Sequence, residues 1–352
     1  MRFCERYPHI IERFDRFWKG EETDRPVLFI TAPKDRPDTS VPPPSIPRPE
    51  DRVLPQHMLA STRHWLAQTA FLAEGYPHLF MNFGPGILHA CIGGDADLSH
   101  WDTTWFPQFL SDIRDFERLR FDPDGKWWSA IRGATNALLD ELAEDLVVSL
   151  TDIGGAADVL ASAVGTEQLL LDVAERPEVV KRAVDHCHTL WMQAYEDNCS
   201  WFARRQDVTT PWWPVLSRGR TYMTQCDFNA MISPKLFAEL FADELGAIYR
   251  ELDNGAFHLD GIGTEVHVPA LLAQKGLRCI QWVPEPGTSA LKHAKMLREI
   301  QEAGVSITFG MSPEEVEIAC REFDHRRLML NIACDSEAEA RALIENTRRW
   351  CE

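Results

Sequence analysis

The chain has 352 residues, 45% of them apolar and 26% charged, with a formal net charge of -18. That length suits one large α/β barrel or two ordinary domains, and either can bury a full core. The charge argues against nucleic acid and anionic membrane surfaces as partners, since both are polyanions.

Residues 1–25 read as an N-terminal helical extension. A first strand, Val27-Leu28-Phe29-Ile30, lies between Pro26 and Pro33, and the proline-rich, charged residues 34–55 read as a surface loop. A helix is predicted over 56–74, then a strand over 79–83 that Gly84-Pro85-Gly86 breaks. Residues 100–126 read as irregular apart from a helical turn. A helix over 129–144 leads to a strand over 146–150, which ends at Asp152-Ile153-Gly154-Gly155. Helices follow over 156–164 and 166–203, the second restarting at Arg176-Pro177, where proline suits a first turn.

A strand over 222–226 precedes Ser233-Pro234-Lys235, which caps a helix running to 252. Residues 256–259 form a short strand that Gly261 ends. Helices over 269–275, 290–303, 313–321 and 336–350 alternate with strands over 278–283, 306–309 and 328–332. Eight strands, each followed by helical material, favour a single (β/α)8 TIM barrel domain over 1–352 rather than a doubly wound sheet. No apolar run reaches transmembrane length. The first residues lack a signal-peptide core, and nine scattered cysteines suit a reducing cytoplasm.

In such a barrel the chemistry sits at the C-terminal strand ends. The polar residues there are Asn82, Asp152, Asp227, His258, Asp260, Gln281, Asn331 and Cys334. His258 and Asp260 stand two apart, so a strand points both to one face, as a metal half-site or an acid/base pair. With Cys334 they offer N, O and S donors, a set that suits zinc; the bland alternative is a structural His-Asp hydrogen bond beside a buried thiol. Asp227 reads as a general acid, a substrate anchor or a local cap. The glycines after Asp152 permit either close approach to a ligand or a tight turn.

His267, nine positions after His258, is a candidate substrate contact. His186-Cys187-His188 lies inside a helical pattern, where adjacent side chains diverge, so it is no ligand cluster. Twelve tryptophans is a high count. Trp212 and Trp213, in Thr210-Pro211-Trp212-Trp213-Pro214, form either a stacking wall for a flat or cationic ligand or a plug or dimer contact.

Gly165-Thr166-Glu167-Gln168-Leu169-Leu170-Leu171-Asp172, then Arg176-Pro177-Glu178, resembles the central segment of the uroporphyrinogen decarboxylase superfamily. So do Cys226-Asp227 followed by Ile232-Ser233-Pro234-Lys235-Leu236-Phe237, the His258 strand, and Ile280-Gln281-Trp282-Val283-Pro284. The resemblance spans roughly residues 75–350 and implies a TIM barrel. The decarboxylases of that superfamily carry an arginine-rich segment after the first strand. Here Thr31-Ala32-Pro33-Lys34-Asp35-Arg36 stands in its place, which argues against uroporphyrinogen as substrate. The zinc- and corrinoid-dependent methyltransferase branch carries His-x-Cys on the equivalent strand and a further cysteine near the last one. His258 and Cys334 match in kind, while Asp260 stands where cysteine is expected.

The resemblance implies a metal-dependent methyltransferase-like enzyme. His258, Asp260 and Cys334 hold zinc, and Asp227 positions or protonates the substrate. Asn82, Asp152, Gln281, Trp282 and His267 line the pocket, with Trp212 and Trp213 as its aromatic wall. A methyl group passes between a small methylated compound, or a corrinoid carried by a partner protein, and a nucleophile. The alternatives are a decarboxylase of a small or tetrapyrrole acid, and a non-catalytic corrinoid- or tetrapyrrole-binding barrel. A homodimer is a further expectation.

Overall fold

The computed structural model describes residues 5–203 and 205–351. Nine strands stand among them: β1 Val27–Pro33, β2 Thr69–Ala73, β3 His78–Met81, β4 Val147–Thr151, β5 Thr221–Gln225, β6 Asn254–Asp260, β7 Leu277–Val283, β8 Ser306–Met311 and β9 Leu328–Ala333. They form a seven-stranded sheet, ordered β2-β1-β9-β8-β7-β6-β5, and a β3-β4 pair. Every pairing is parallel except β1 with β2. Helices separate the parallel strands, so the chain is a mixed α/β protein.

The eight predicted strands are all present, and β2 is an addition. The helix expected over 56–74 stops at Gln68, and the chain turns into an antiparallel edge strand. The helix expected from Ser233 to 252 is two helices, Pro234–Leu240 and Ala242–Glu251, with Ser233 accepting the Leu236 N–H as cap. The long helix does restart at proline, as Thr166–Glu175 and Pro177–Ser200.

Alternation along the strands builds two cores. Leu28, Ile30, Val148, Leu150, Tyr222, Phe257, Leu259, Ile280, Trp282, Leu330 and Ile332 face the helical layer. Their neighbours Val27, Phe29, Val147, Met223, Ala256, Cys279 and Met329 meet in a second cluster that draws on both sheets. The N-terminal helix Tyr7–Lys19 supplies Tyr7, Ile10, Ile11, Phe14, Phe17 and Trp18 to that second cluster, at the spacing of one helical face. Its Trp18 indole donates to Leu216 O, and Ser306 on β8 donates to Phe17 O. The adjoining buried pair Arg25–Glu74, bidentate at 2.7 and 2.8 Å, ties the start of β1 to the end of β2.

β4 and β5 do not pair, and the free edge of β4 is satisfied another way. Gln206 bonds both the N–H and the C=O of Val148, Leu150 N donates to Thr210 O, and Thr151 N donates to Asn198 Oδ1. The stretch from 206 to 217 therefore fills the gap, and it carries Trp212 and Trp213 inward against the second cluster.

The glycines after Asp152 serve close backbone packing. Gly154 has φ +71 and lies against Gly86, and a Cβ at Gly155 would sit 2.0 Å from the Gln225 carbonyl oxygen. A Cβ at Gly133, within helix Lys126–Leu142, would meet nothing within 4 Å. Gly155→Ala is therefore expected to lower stability by about 3 kcal/mol or more in urea unfolding. Gly133→Ala should raise it by about 0.5–1 kcal/mol, and equal effects from the two would contradict this packing.

Candidate functional site

The pleat decides which polar side chains meet. On β6 the inward residue Ala256 is followed on the same face by His258 and Asp260; on β7 Cys279 is followed by Gln281, and on β5 Met223 by Gln225. Register sets His258 opposite Gln281 on one side and Gln225 on the other. His258 Nδ1 and Gln281 Oε1 lie 2.6 Å apart, which leaves the imidazole's Nε2 facing Asp260 Oδ2 at 3.7 Å.

Asp227 completes the group. It opens the 3-10 turn Asp227–Met231 just past β5, and the Asp158 carboxylate holds that turn, accepting from Asp227 N at 3.1 Å and Phe228 N at 2.8 Å. Ligand atoms of Asp227, His258 and Asp260 all lie within 4.8 Å of one another, the geometry of a cation site. Asp227 and Asp260 are exposed and His258 is half-buried, so the group opens to solvent.

The site is crowded with negative charge. Burial pushes Asp152 up to about 6, against hydrogen bonds from the Gly154 and Gly86 backbone. Burial and the Asp227 charge push Asp158 up to about 7. Asp227 is raised by its own desolvation, which His258 opposes and Asp260 reinforces. Burial opposes a charge on His258, but the Asp260 carboxylate at 3.7 Å and the Asp227 charge outweigh it, and the imidazole titrates above its ordinary value.

Several expectations need correction. Cys334 does not join the group. It lies past β9 in the helical layer, buried, with its N–H on Thr31 O and its thiol near Glu339, Asp335 and Glu314. Asp227 supplies the third donor instead. Trp282 follows Gln281 on the strand, so it faces the opposite way, buried against His293 with ring centroids 4.7 Å apart. His267 is fully buried behind the 3-10 turn, its Nε2 on Asn229 O at 2.9 Å and its ring against Phe237. It braces the turn that carries Asp227 and does not reach the pocket.

The other candidates fall near the site. Trp212 sets its ring edge-to-face with His258 at 4.9 Å and also meets Phe80. Trp213 turns away and donates to Thr308 Oγ1 on β8. Asp152 is buried at the end of β4, its Oδ1 on Gly154 N. Asn82 binds Gly84 N and lines a cavity of about 450 Å3 beside Phe80 and Trp101. Asp158 and Gln225 escaped the sequence reading. The parity of Gln225 with Met223 was available as a signal, whereas Asp158 reaches Asp227 only through the fold.

Behind the turn, Glu244 is buried with one oxygen unpartnered, and burial and Asp158 push it up to about 8. Its folded pKa exceeds its unfolded value of 4.5, so the folded state keeps a proton that the unfolded state releases. That contribution makes stability fall as pH rises from 4.5 to 8. Glu244→Gln should raise stability at pH 8 by about 4 kcal/mol and leave pH 4 nearly unchanged, read as unfolding midpoints across pH. An unaltered pH slope would contradict the burial of this carboxyl.

No protein-family model matches the chain, and no curated protein matches it. Among solved structures, a methyltransferase from Methanosarcina mazei aligns over 97% of this chain and 98% of its own, with a TM-score of 0.61 and 12% sequence identity. The two chains share a fold.

Proposed function

We propose that this chain is a metal-dependent, methyltransferase-like enzyme of the kind found in the uroporphyrinogen decarboxylase superfamily, built on a closed (β/α)8 barrel. Closure is supported by the second apolar cluster, to which β1, β5, β6, β7 and β9 of one sheet and β4 of the other all contribute. The observation that carries the functional reading is the convergence of Asp227, His258 and Asp260 at the strand ends, on a fold shared with a methyltransferase. A methyl group would pass between a small methylated compound, or a corrinoid borne by a partner protein, and a nucleophile.

The donor set fits a divalent ion such as zinc. One imidazole nitrogen and two carboxylate oxygens are ordinary zinc ligands, and their mutual crowding favours a cation among them. A metal held by Asp227, His258 and Asp260 would supply Lewis acidity, holding an acceptor thiol or hydroxyl deprotonated near neutral pH. Without a thiolate ligand the site is harder than a cysteine-rich one.

The remaining steps belong to the chain. Gln281 fixes the His258 ring and leaves Nε2 as the free nitrogen, as outer partners of ligating histidines do. Trp212 covers one side of that ring and keeps water from it. Asp158 holds the turn that presents Asp227. Asp152, buried at the end of β4, is lifted toward neutrality by that burial and held by the Gly154 N–H. A decarboxylase is the weaker reading, because a carboxylate substrate needs positioned cations. None of the described residues lining the cleft beside Asp227 is lysine or arginine.

Purified protein is expected to hold about one equivalent of zinc or a similar divalent ion by elemental analysis. His258→Ala should abolish that content, and Gln281→Leu should weaken metal affinity about 10–100-fold. Wild-type protein that takes up no divalent ion, or His258→Ala protein that retains its full content, would overturn this site.

A further inference from the structure

Beside the His258 group lies a cleft of about 490 Å3, bordered by Asp158, Asp227 and Gln225 and walled by Trp105, Phe106 and Met231. Asp158 and Asp227 are the charged residues among its described lining, and both are acidic. Trp105 is 60% exposed and Met231 49%, a large apolar surface left open at the mouth of a polar site. The wall is nonetheless held in place. Trp105 exchanges backbone hydrogen bonds with Asp97 at 2.8 and 3.1 Å, and the N–H groups of Phe109 and Leu110 both donate to Ala163 O.

Gln225 gives an independent sign of a ligand. It is 5% exposed, sits on the inward face of β5 and lines the cleft. Its carboxamide has no hydrogen-bond partner among the described residues. The amide atoms themselves reach the solvent of the cleft, so a polar group of a ligand can take the place of water there.

We infer that this cleft is the binding site for a small methylated ammonium cation. Aromatic faces attract such a cation through the ring quadrupole, and the two carboxylates add a net field of the same preference. Met231 and Phe106 suit the methyl groups, and the Gln225 amide suits an N–H or hydroxyl on the same molecule. An anion meets two acidic side chains here and no lysine or arginine among the described lining. The inference rests on the methyl-transfer reading only in casting the cation as the methylated compound; the binding itself does not. Asp227 belongs to both the metal group and the cleft.

The test is calorimetric titration of the purified protein with tetramethylammonium, choline, the neutral carbon analogue 3,3-dimethylbutan-1-ol and the anion 3,3-dimethylbutanoate. Choline should bind at least about tenfold more tightly than its neutral analogue, and the anion should not bind. Trp105→Ala and Gln225→Leu should each weaken choline about tenfold with unchanged unfolding midpoints. Equal affinity for choline and the neutral analogue, binding of the anion, or variants that bind choline like wild type would overturn the inference.

His258→Ala separates the two proposals: measured against wild type stripped of metal by a chelator, it should keep choline affinity within about threefold. Choline binding without any metal uptake sinks the metal site alone. Methyl transfer from a neutral donor by a protein that ignores both cations sinks this inference alone.

Discussion

Carboxylate crowding around one imidazole is the constraint on which this structure turns. Asp152, Asp158, Asp227 and Asp260 gather near His258, and the first three are all raised above the usual carboxylate range. Burial is the larger cause in each case, and the neighbouring carboxylates add to it. The protein supplies only partial compensation, through backbone N–H groups on Asp152 and Asp158 and a His258 that protonates more readily than usual. That leaves Asp227 and Asp260, both open to solvent, able to accept a cation from outside the chain. On the proposed function, a metal among Asp227, His258 and Asp260 would relieve this repulsion, and so would a methylated ammonium in the adjoining cleft.

The scaffold places this crowding above a largely apolar interior. Below the polar layer β1, β5, β6, β7 and β9 turn apolar residues inward and the N-terminal helix joins the same cluster, while Ser306 and Thr308 on β8 find hydrogen-bond partners there. Trp212 and Trp213, carried inward by the stretch that satisfies β4, separate that interior from the site. One side of the imidazole thus faces an aromatic ring while Asp227 and Asp260 face open space. A hydrophobic underside strengthens every interaction above it, because the local dielectric is low.

Legibility in the sequence followed interaction range. The eight parallel strands stand out as short apolar runs rich in β-branched and aromatic residues. His258 and Asp260 share a face by a rule local to their own strand. The same rule separates Gln281 from Trp282, which cannot both face the pocket. β2 was hidden because Thr69-Ala70-Phe71-Leu72-Ala73 carries on the helical pattern before it, and its pairing with β1 is a tertiary choice. Cys334 matched in kind, yet its position beyond the end of β9 carries it into the helical layer. Asp158 lies 69 residues from the turn it holds, and no periodicity connects the two.

X-ray absorption at the zinc edge, on protein loaded with one equivalent of zinc, tests the central claim most directly. The account predicts a first shell of light atoms at about 2.0–2.2 Å, with one imidazole and carboxylate oxygens and no sulfur. A sulfur shell at about 2.3 Å would return Cys334 or another thiol to the site and contradict the Asp227–His258–Asp260 group.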